Sequence, residues 1–398
     1  MTTPSKPTAF ANITPAQRRG MVVAISAITG VGIGLSLSLP LLGIILESRG
    51  ISGTWIGINT AMAGIAAIAI SPFCTPLARR FGASTVLAAS IWISAVTLLG
   101  FYYIEAFWAW FPLRLVFYAG ITAAFVLSEF WINVLAPQNR RGLVMGIYGT
   151  VLSIGFSIGP AMIMLTGTDG IMPFALGASI MALSAIPVIA IKSDQPKLDS
   201  HSGASFASFL FAAPMATFAA FIFGAVESGG MALLPIYGLR VGYEAKMAVL
   251  LVAAVAWGNV VLQLPLGYLA DIYNKRILLV ICAFVGFVGA AIIPFVATNI
   301  VAMMIVLFVW GGFIAGFYTV GLTHLGSRFQ GGDLASANAA FVMMYSVGSV
   351  IGPAAIGKGM DVWSPHGMAV VVAVFFGAYA LLAGWRMLRL PSKSGSSQ

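Results

Sequence analysis

Twelve long apolar runs, separated by short polar breaks, make up nearly the whole chain. A helix of roughly 20 apolar residues crosses the hydrocarbon core of a bilayer. The runs predict spans at 21–46, 54–77, 84–104, 107–135, 143–166, 171–191, 206–239, 246–270, 277–297, 300–325, 335–357 and 366–385. A transmembrane barrel is disfavoured, because its strands alternate polar and apolar residues over about ten positions. Only one connector is both long and polar. Lys192 to Ser205 contains Asp194, Pro196, Lys197, Asp199 and His201 and falls at the middle of the chain. The expected fold is an all-α membrane protein with twelve transmembrane helices in two six-helix bundles, 1–191 and 206–398, joined by a cytoplasmic linker at 192–205.

Composition removes the soluble alternatives. Of the 398 residues, 60% are hydrophobic and 8% are charged, whereas soluble domains carry about 25% charged residues. The formal charge of +9 does not point to nucleic acid, because its distribution follows the membrane rule. With the N-terminus inside, fifteen of the 20 Lys and Arg residues fall on the cytoplasmic side, among them Arg79, Arg80, Lys275 and Arg276. Arg49, Arg240, Lys246 and Lys358 fall outside, and Arg114 lies within a span. Such an excess sets orientation, and an even number of spans brings both termini to the cytoplasmic side of the inner membrane. Met1 to Gly20 is polar and leads into a full-length span, so no cleavable signal is expected.

The sequence offers little for covalent chemistry. Cys74 and Cys282 sit in apolar surroundings, so neither a disulfide framework nor a metal site is expected. There are three His, no His-Glu metal cluster, no nucleophile elbow and no phosphate-binding loop. An enzyme, a cofactor and a self-contained ATP-driven pump are therefore not expected.

The two halves repeat each other. Gly155-x-x-x-Gly159-Pro160 matches Gly348-x-x-x-Gly352-Pro353, Leu77-Ala78-Arg79 matches Leu269-Ala270-Asp271, and Pro40-x-x-Gly43 matches Pro235-x-x-Gly238, at offsets of about 193 residues. Duplication of a six-helix unit is a common plan for transporters that alternate between two open states. Small residues at i and i+4 let helices approach closely, which explains the Gly-x-x-x-Gly-Pro runs as packing elements.

The loop Gly267-Tyr-Leu-Ala-Asp271-Ile-Tyr-Asn-Lys275-Arg276 resembles a signature of the major facilitator superfamily, as do the Gly-x-x-x-Gly-Pro runs and Arg114 in helix four. Within that superfamily the chain resembles the YcaD-like branch. This likeness rests on Gln263-Leu-Pro265-Leu-Gly267, on Arg114 followed by Glu129, and on Tyr345-Ser-Val-Gly348 running on to Pro353. The resemblance implies that Gly267, Asp271, Lys275 and Arg276 form a latch that closes the cytoplasmic side. It also implies that helices one, four, seven and ten line a central cavity, and it associates the helix-five run with antiport.

The first-half copy of the loop departs from this pattern, with Thr75 and Arg79 in place of Gly and Asp. Glu129 is expected to supply the missing acid by pairing with Arg79 or Arg80; the alternative is that it reaches the headgroup region. On the predicted spans, Arg114 and Glu227 lie within about 4 Å in depth at 1.5 Å per residue. They are expected to face each other as the polar centre of the site, with Glu227 as the protonatable group. His324 is a candidate for proton release near the inner gate, and equally for a structural hydrogen bond. Gln263, Asn133, Asn259 and Asn338 are candidate polar contacts to substrate. The aromatic run Phe107-Trp108-Ala-Trp110-Phe111 suits an interfacial belt.

The leading expectation is a monomeric secondary transporter in the lipid bilayer. It moves a neutral, zwitterionic or singly charged small organic solute, coupled to protons and directed outward. Uptake, uniport without ions, and a non-transporting sensor stay open at this point.

Overall fold

A computed structural model describes residues 14–135, 141–191, 213–329 and 331–389. It contains twelve membrane-length apolar helices, with no strand among the described residues. They are α1 (Pro15–Ser48), α2 (Gly53–Phe81), α3 (Ala83–Tyr103), α4 (Trp110–Leu135), α5 (Arg141–Thr166) and α6 (Met172–Ala190, broken at Ala185). The second half holds α7 (Pro214–Arg240), α8 (Ala245–Ile272), α9 (Lys275–Val296), α10 (Ile300–Gly326), α11 (Gly331–Val362) and α12 (Gly367–Arg389). The connector expected at 192–205 lies outside the described residues.

Local chemistry sets the helix ends. Thr14 opens α1 with a capping box: its Oγ1 accepts from the Gln17 amide, and the Gln17 side chain accepts from the Thr14 amide. Two of the unpaired amides at the helix start are thereby satisfied. Asn274 and Asn299 cap α9 and α10 through their side-chain oxygens. Gly82 adopts a φ of 88° and turns the chain sharply between α2 and α3, a conformation that costs glycine little.

Two spans differ from expectation in ways that matter for the site. The seventh helix begins at Pro214 rather than 206, because proline suits the first helical position, where no amide partner is needed. Glu227 is therefore its central residue. The eleventh helix runs past 357 to Val362 and carries Lys358 and Asp361. A hydropathy reading stops at these charges; the helix continues because Asp361 finds partners at the seam.

Each half packs by the same device. A Cβ on Gly159 would collide with Ser36 and Leu37 of α1, and one on Gly155 would press on Gly32. In the other half, Gly348 and Gly352 of α11 lie against the Phe221 and Ala225 carbonyls of α7. The repeated runs are thus the contact stripes of α5 on α1 and of α11 on α7. Pro160 and Pro353 sit inside their helices just beyond these stripes.

Candidate functional site

The two halves meet along a seam that includes α2 against α11 and α1 against α7. At one end this seam is shut. Gly53 lies against the Gly357 carbonyl, Gly57 against Pro353, and Gly64 against Ser346 and Val350, in steady antiparallel register. A side chain at Gly57 would collide with the Pro353 backbone.

A charged network closes the same end. Arg240 at the end of α7 grips Glu47 at the end of α1 in a fork, Nε to Oε1 at 2.7 Å and Nη2 to Oε2 at 3.0 Å. Its Nη1 lies 3.5 Å from Asp361 and donates to the Met360 carbonyl. Asp361 in turn accepts from the Gly53 and Thr54 amides at 2.9 and 2.7 Å and from the Thr54 hydroxyl. It thus caps α2 across the seam, where an anion suits the helix dipole. Two-pronged guanidinium–carboxylate contacts are among the stronger polar contacts in proteins. Sequence reasoning did not single out these residues, yet one signal was present: Glu47 and Arg240 are 193 residues apart, the repeat offset, and carry opposite charges.

At the other end, which holds Asp271, the register fails. It would bring Ser71 opposite Ala339 and Pro72 opposite Asn338, and all four residues are exposed. Between the two regimes α2 and α11 begin to diverge around an apolar crevice of about 390 Å³, lined by Ile65, Ile68, Ala69, Val347, Val350 and Ile351.

Midway along the seam sits Glu227. Its Oε2 accepts a hydrogen bond from the Tyr345 hydroxyl of α11 at 2.8 Å, and the residue is half-buried. Among the described residues no cation pairs with it. Tyr318 of α10 lies within electrostatic range of both Glu227 and, across the seam, Glu129 of α4. Glu129 also lies near Tyr148, which shares a hydrogen bond with Ser128 at 2.9 Å.

The expected Arg114–Glu227 pair does not form. Arg114 is fully buried in the first half, where its Nη1 donates to Thr60 Oγ1 at 3.3 Å. Its Nε and Nη2 have no partner among the described residues, nor has the side-chain amide of neighbouring Asn59. Tyr118, hydrogen-bonded with Ser38 at 3.0 Å, lies beside it. Arg114 is four residues into α4, whereas Glu227 is central in α7. Counted from the helix ends on the Arg240 side, their depths differ by roughly 13 Å at 1.5 Å per residue.

Among the described residues no ion pair joins Arg79 or Arg80 to Glu129. Both arginines are exposed, and Arg80 lies over the Phe81 ring.

At the Asp271 end, Asp271 is exposed and joins no ion pair among the described residues. The helix start that follows is capped by Asn274 instead. A Cβ on Gly267 would meet only Thr319 Cγ2 at 3.7 Å, an ordinary contact, so this glycine is not what allows close approach. Gly258 and Gly311 do that work between α8 and α10, against the Phe308 and Val255 carbonyls. Gln263 donates to Thr319 Oγ1 at a long 3.4 Å. His324 is buried, with Arg328, Arg276 and Lys275 in electrostatic range. Burial first, then the neighbouring Arg276 and Arg386, hold the Arg328 guanidinium below its ordinary pKa. Asn338 is exposed, one oxygen of half-buried Asn259 has no partner, and the Asn133 side chain lies outside the described residues.

Two halves built by repetition, a seam shut at one end, and an ionisable group at its middle are the parts of an alternating-access carrier. The sequence matches the Major Facilitator Superfamily profile over residues 24–256 and again over 242–398. The chain belongs to the Major Facilitator Superfamily. It is a multi-pass membrane protein of a family of transporters, not of enzymes. It is 26% identical over 335 residues to the uncharacterized MFS-type transporter YfkF of Bacillus subtilis (strain 168), covering 82% of this chain and 85% of that one. It is 24% identical over 308 residues to the uncharacterized MFS-type transporter YcaD of Escherichia coli (strain K12 / DH10B), covering 76% and 78%. The relation to YcaD-like members expected from the motifs therefore holds. A crystal structure of the nucleoside transporter NupG in a mutant form superposes with a TM-score of 0.77 over 95% of this chain and 100% of that one, at 16% identity. This likeness establishes the major facilitator fold.

Proposed function

We propose that this superfamily member is a proton-coupled secondary transporter that moves a small organic solute outward across the cytoplasmic membrane, in exchange for protons that bind at Glu227. The observation that carries the reading is Glu227 itself: a carboxyl group at the centre of α7, facing the seam, held by one tyrosine hydroxyl and by no cation among the described residues. An ionisable group at such depth is costly and marks an ion or substrate pathway. The Gly155–Pro160 run, which the superfamily resemblance associates with antiport, favours the outward direction.

In this reading the Arg240 end faces outside, the Asp271 end and both termini face the cytoplasm, and the described state is open inward. The two halves, 1–191 and 206–398, rock about the seam as a monomer, joined by the cytoplasmic linker. The network of Glu47, Arg240 and Asp361 holds the outer side shut. Asp271, Lys275 and Arg276 belong to the opposite latch, which engages when the inner side closes. Arg79, Arg80 and Glu129 lie on the moving inner half of the seam. Arg114 is a fixed charge that ties α4 to Thr60 of α2, and Gln263 and His324 lie along the inner exit path.

The test is gradient-driven flux in proteoliposomes containing a pH-sensitive dye, with a panel of organic solutes. A pH gradient should drive accumulation in the wild type, and Glu227→Gln should abolish it. Wild-type rates in the Gln variant would remove Glu227 as the coupling group.

A further inference from the structure

Glu227 is bordered by a corner of aromatic rings for which proton movement alone has no use. Phe223 precedes it by one turn on α7 and so shares its face. The Phe223 ring lies 5.3 Å from Tyr318 and 5.8 Å from Tyr345, and those two are 6.4 Å apart, centroid to centroid. The planes meet at 49°, 35° and 80°, so the rings form the walls of a corner rather than a stack. Tyr345 fixes the carboxylate at the edge of that corner. Tyr318 is half-buried, and its hydroxyl has no hydrogen-bond partner among the described residues.

The sign of the charge around this corner follows from the elements packed near it; α8 and α12, which also pack on α7, carry charge only near their ends, at Lys246 and Asp271 and at Arg386 and Arg389. Glu227 of α7 is the ionisable group at the corner, with the hydroxyls of Tyr318 and Tyr345 from α10 and α11. The stretch of α1 between Arg19 and Glu47 carries no charged residue, and α2 carries none from Gly53 to Ala78. Arg114 is displaced toward the Arg240 end and engaged with Thr60. Carboxylates and the negative faces of aromatic rings both attract cations, and both repel anions. A divalent cation such as Ca2+ or Mg2+ is a poor fit, since these ions take six or more oxygen ligands, and the side chains of this corner offer a carboxylate and two phenols.

We infer that the central site binds an organic cation of single charge, its cationic group against Glu227 and its apolar flanks against Phe223, Tyr318 and Tyr345. This rests on the proposed transport role of the same site.

Equilibrium dialysis of the purified full-length protein tests it without requiring a gradient or flux. The probes are tetraphenylphosphonium and benzyltrimethylammonium, with tetraphenylborate as an anion of matching shape. The cations should bind saturably and tetraphenylborate should not, and cation binding should weaken as pH falls, because protons compete for Glu227. Glu227→Gln should weaken binding at least about tenfold and flatten its pH dependence. Phe223→Leu and Tyr318→Leu should each cost roughly three- to tenfold, and Tyr318→Phe, which keeps the ring, much less. Monodisperse elution shows which variants are folded, and the near-isosteric Gln and Phe variants keep the test valid should a Leu variant fail. Equal binding of cations and tetraphenylborate, unchanged binding in Glu227→Gln, or no binding of either cation would overturn the inference. Loss of cation binding alongside intact gradient-driven flux rejects the cation and keeps the proton. Cation binding without gradient-driven flux does the reverse.

Discussion

The two ends of the seam use the same pair of helices to opposite effect. Toward the Arg240 end, α2 and α11 meet through Gly53, Gly57 and Gly64, and the contact is closed by Asp361 capping α2 and Arg240 gripping Glu47. Toward the Asp271 end, α2 carries Pro72 and Pro76, its residues are mostly exposed, and α11 answers with exposed Asn338 and Ala339. Backbones can touch only where no side chain intervenes. A tight glycine register therefore shuts one end, and its loss marks where the halves part. Closure here is a property of the contact surface, reinforced by charge, rather than of the charge alone.

The comparison breaks most severely at Gly57. Overpacking a close contact costs about 1–3 kcal/mol, and 3 kcal/mol is roughly a hundredfold in the equilibrium between states. Gly57→Leu should drive the Arg240 end apart. Spin labels on Ser52→Cys and Val362→Cys, both exposed sites flanking the contact, should report one short separation in the parent and a long one in the variant. An unchanged distance distribution would remove the glycine register as the cause of closure.

A middle-sized effect is expected at Arg240. Its ion pairs are partly exposed and therefore screened, so Arg240→Ala should shift the same equilibrium by roughly tenfold or less, about 1 kcal/mol. The double exchange Glu47→Arg with Arg240→Glu should recover only part of the loss, because Asp361 would then face a carboxylate. Full recovery would show that Asp361 acts only as a cap on α2. The same spin-label pair reads both variants, and high salt should reduce the parent's preference for the closed end.

The smallest effect sharpens the contrast at the Asp271 end. Gly267→Ala adds a methyl group that meets only an ordinary contact with Thr319. It should leave transport unchanged and raise the melting temperature slightly, since alanine favours a helix by about 1 kcal/mol over glycine. Gly258→Ala, nine residues earlier on the same helix, should destabilise instead, because its methyl group would run into the Phe308 carbonyl. If both variants behave alike, close approach of α8 to α10 does not depend on Gly258.

Much of the fold was legible in the chain. The twelve spans, the duplication and the role of the Gly155–Gly159 and Gly348–Gly352 stripes follow from apolar runs and small-residue spacing, because a bilayer imposes helix length and close packing demands small residues. The site was less legible. The predicted seventh span began at 206, and the eight-residue shift to Pro214 moved Glu227 from an outward position to the middle of its helix. That shift ended the supposed closeness to Arg114. Asp361 went unnoticed because the predicted span stopped before it. Glu47 and Arg240 could have been found from their repeat spacing and opposite charges.

By itself the sequence determined that this chain crosses a membrane twelve times, repeats a six-helix unit, and buries a very small number of charges at positions where charge is expensive. Those conclusions depend on local composition and on spacing within a helix, which are written along the chain. Only the tertiary structure decided which partners those charges have. Tyr345 is 118 residues from Glu227, Asp361 is 307 from Thr54, and Thr60 rather than Glu227 holds Arg114. Such pairings depend on the rotation and depth of each helix against its neighbours. A rotation of one residue is about 100° of an α-helix, enough to turn a side chain from the seam to the lipid.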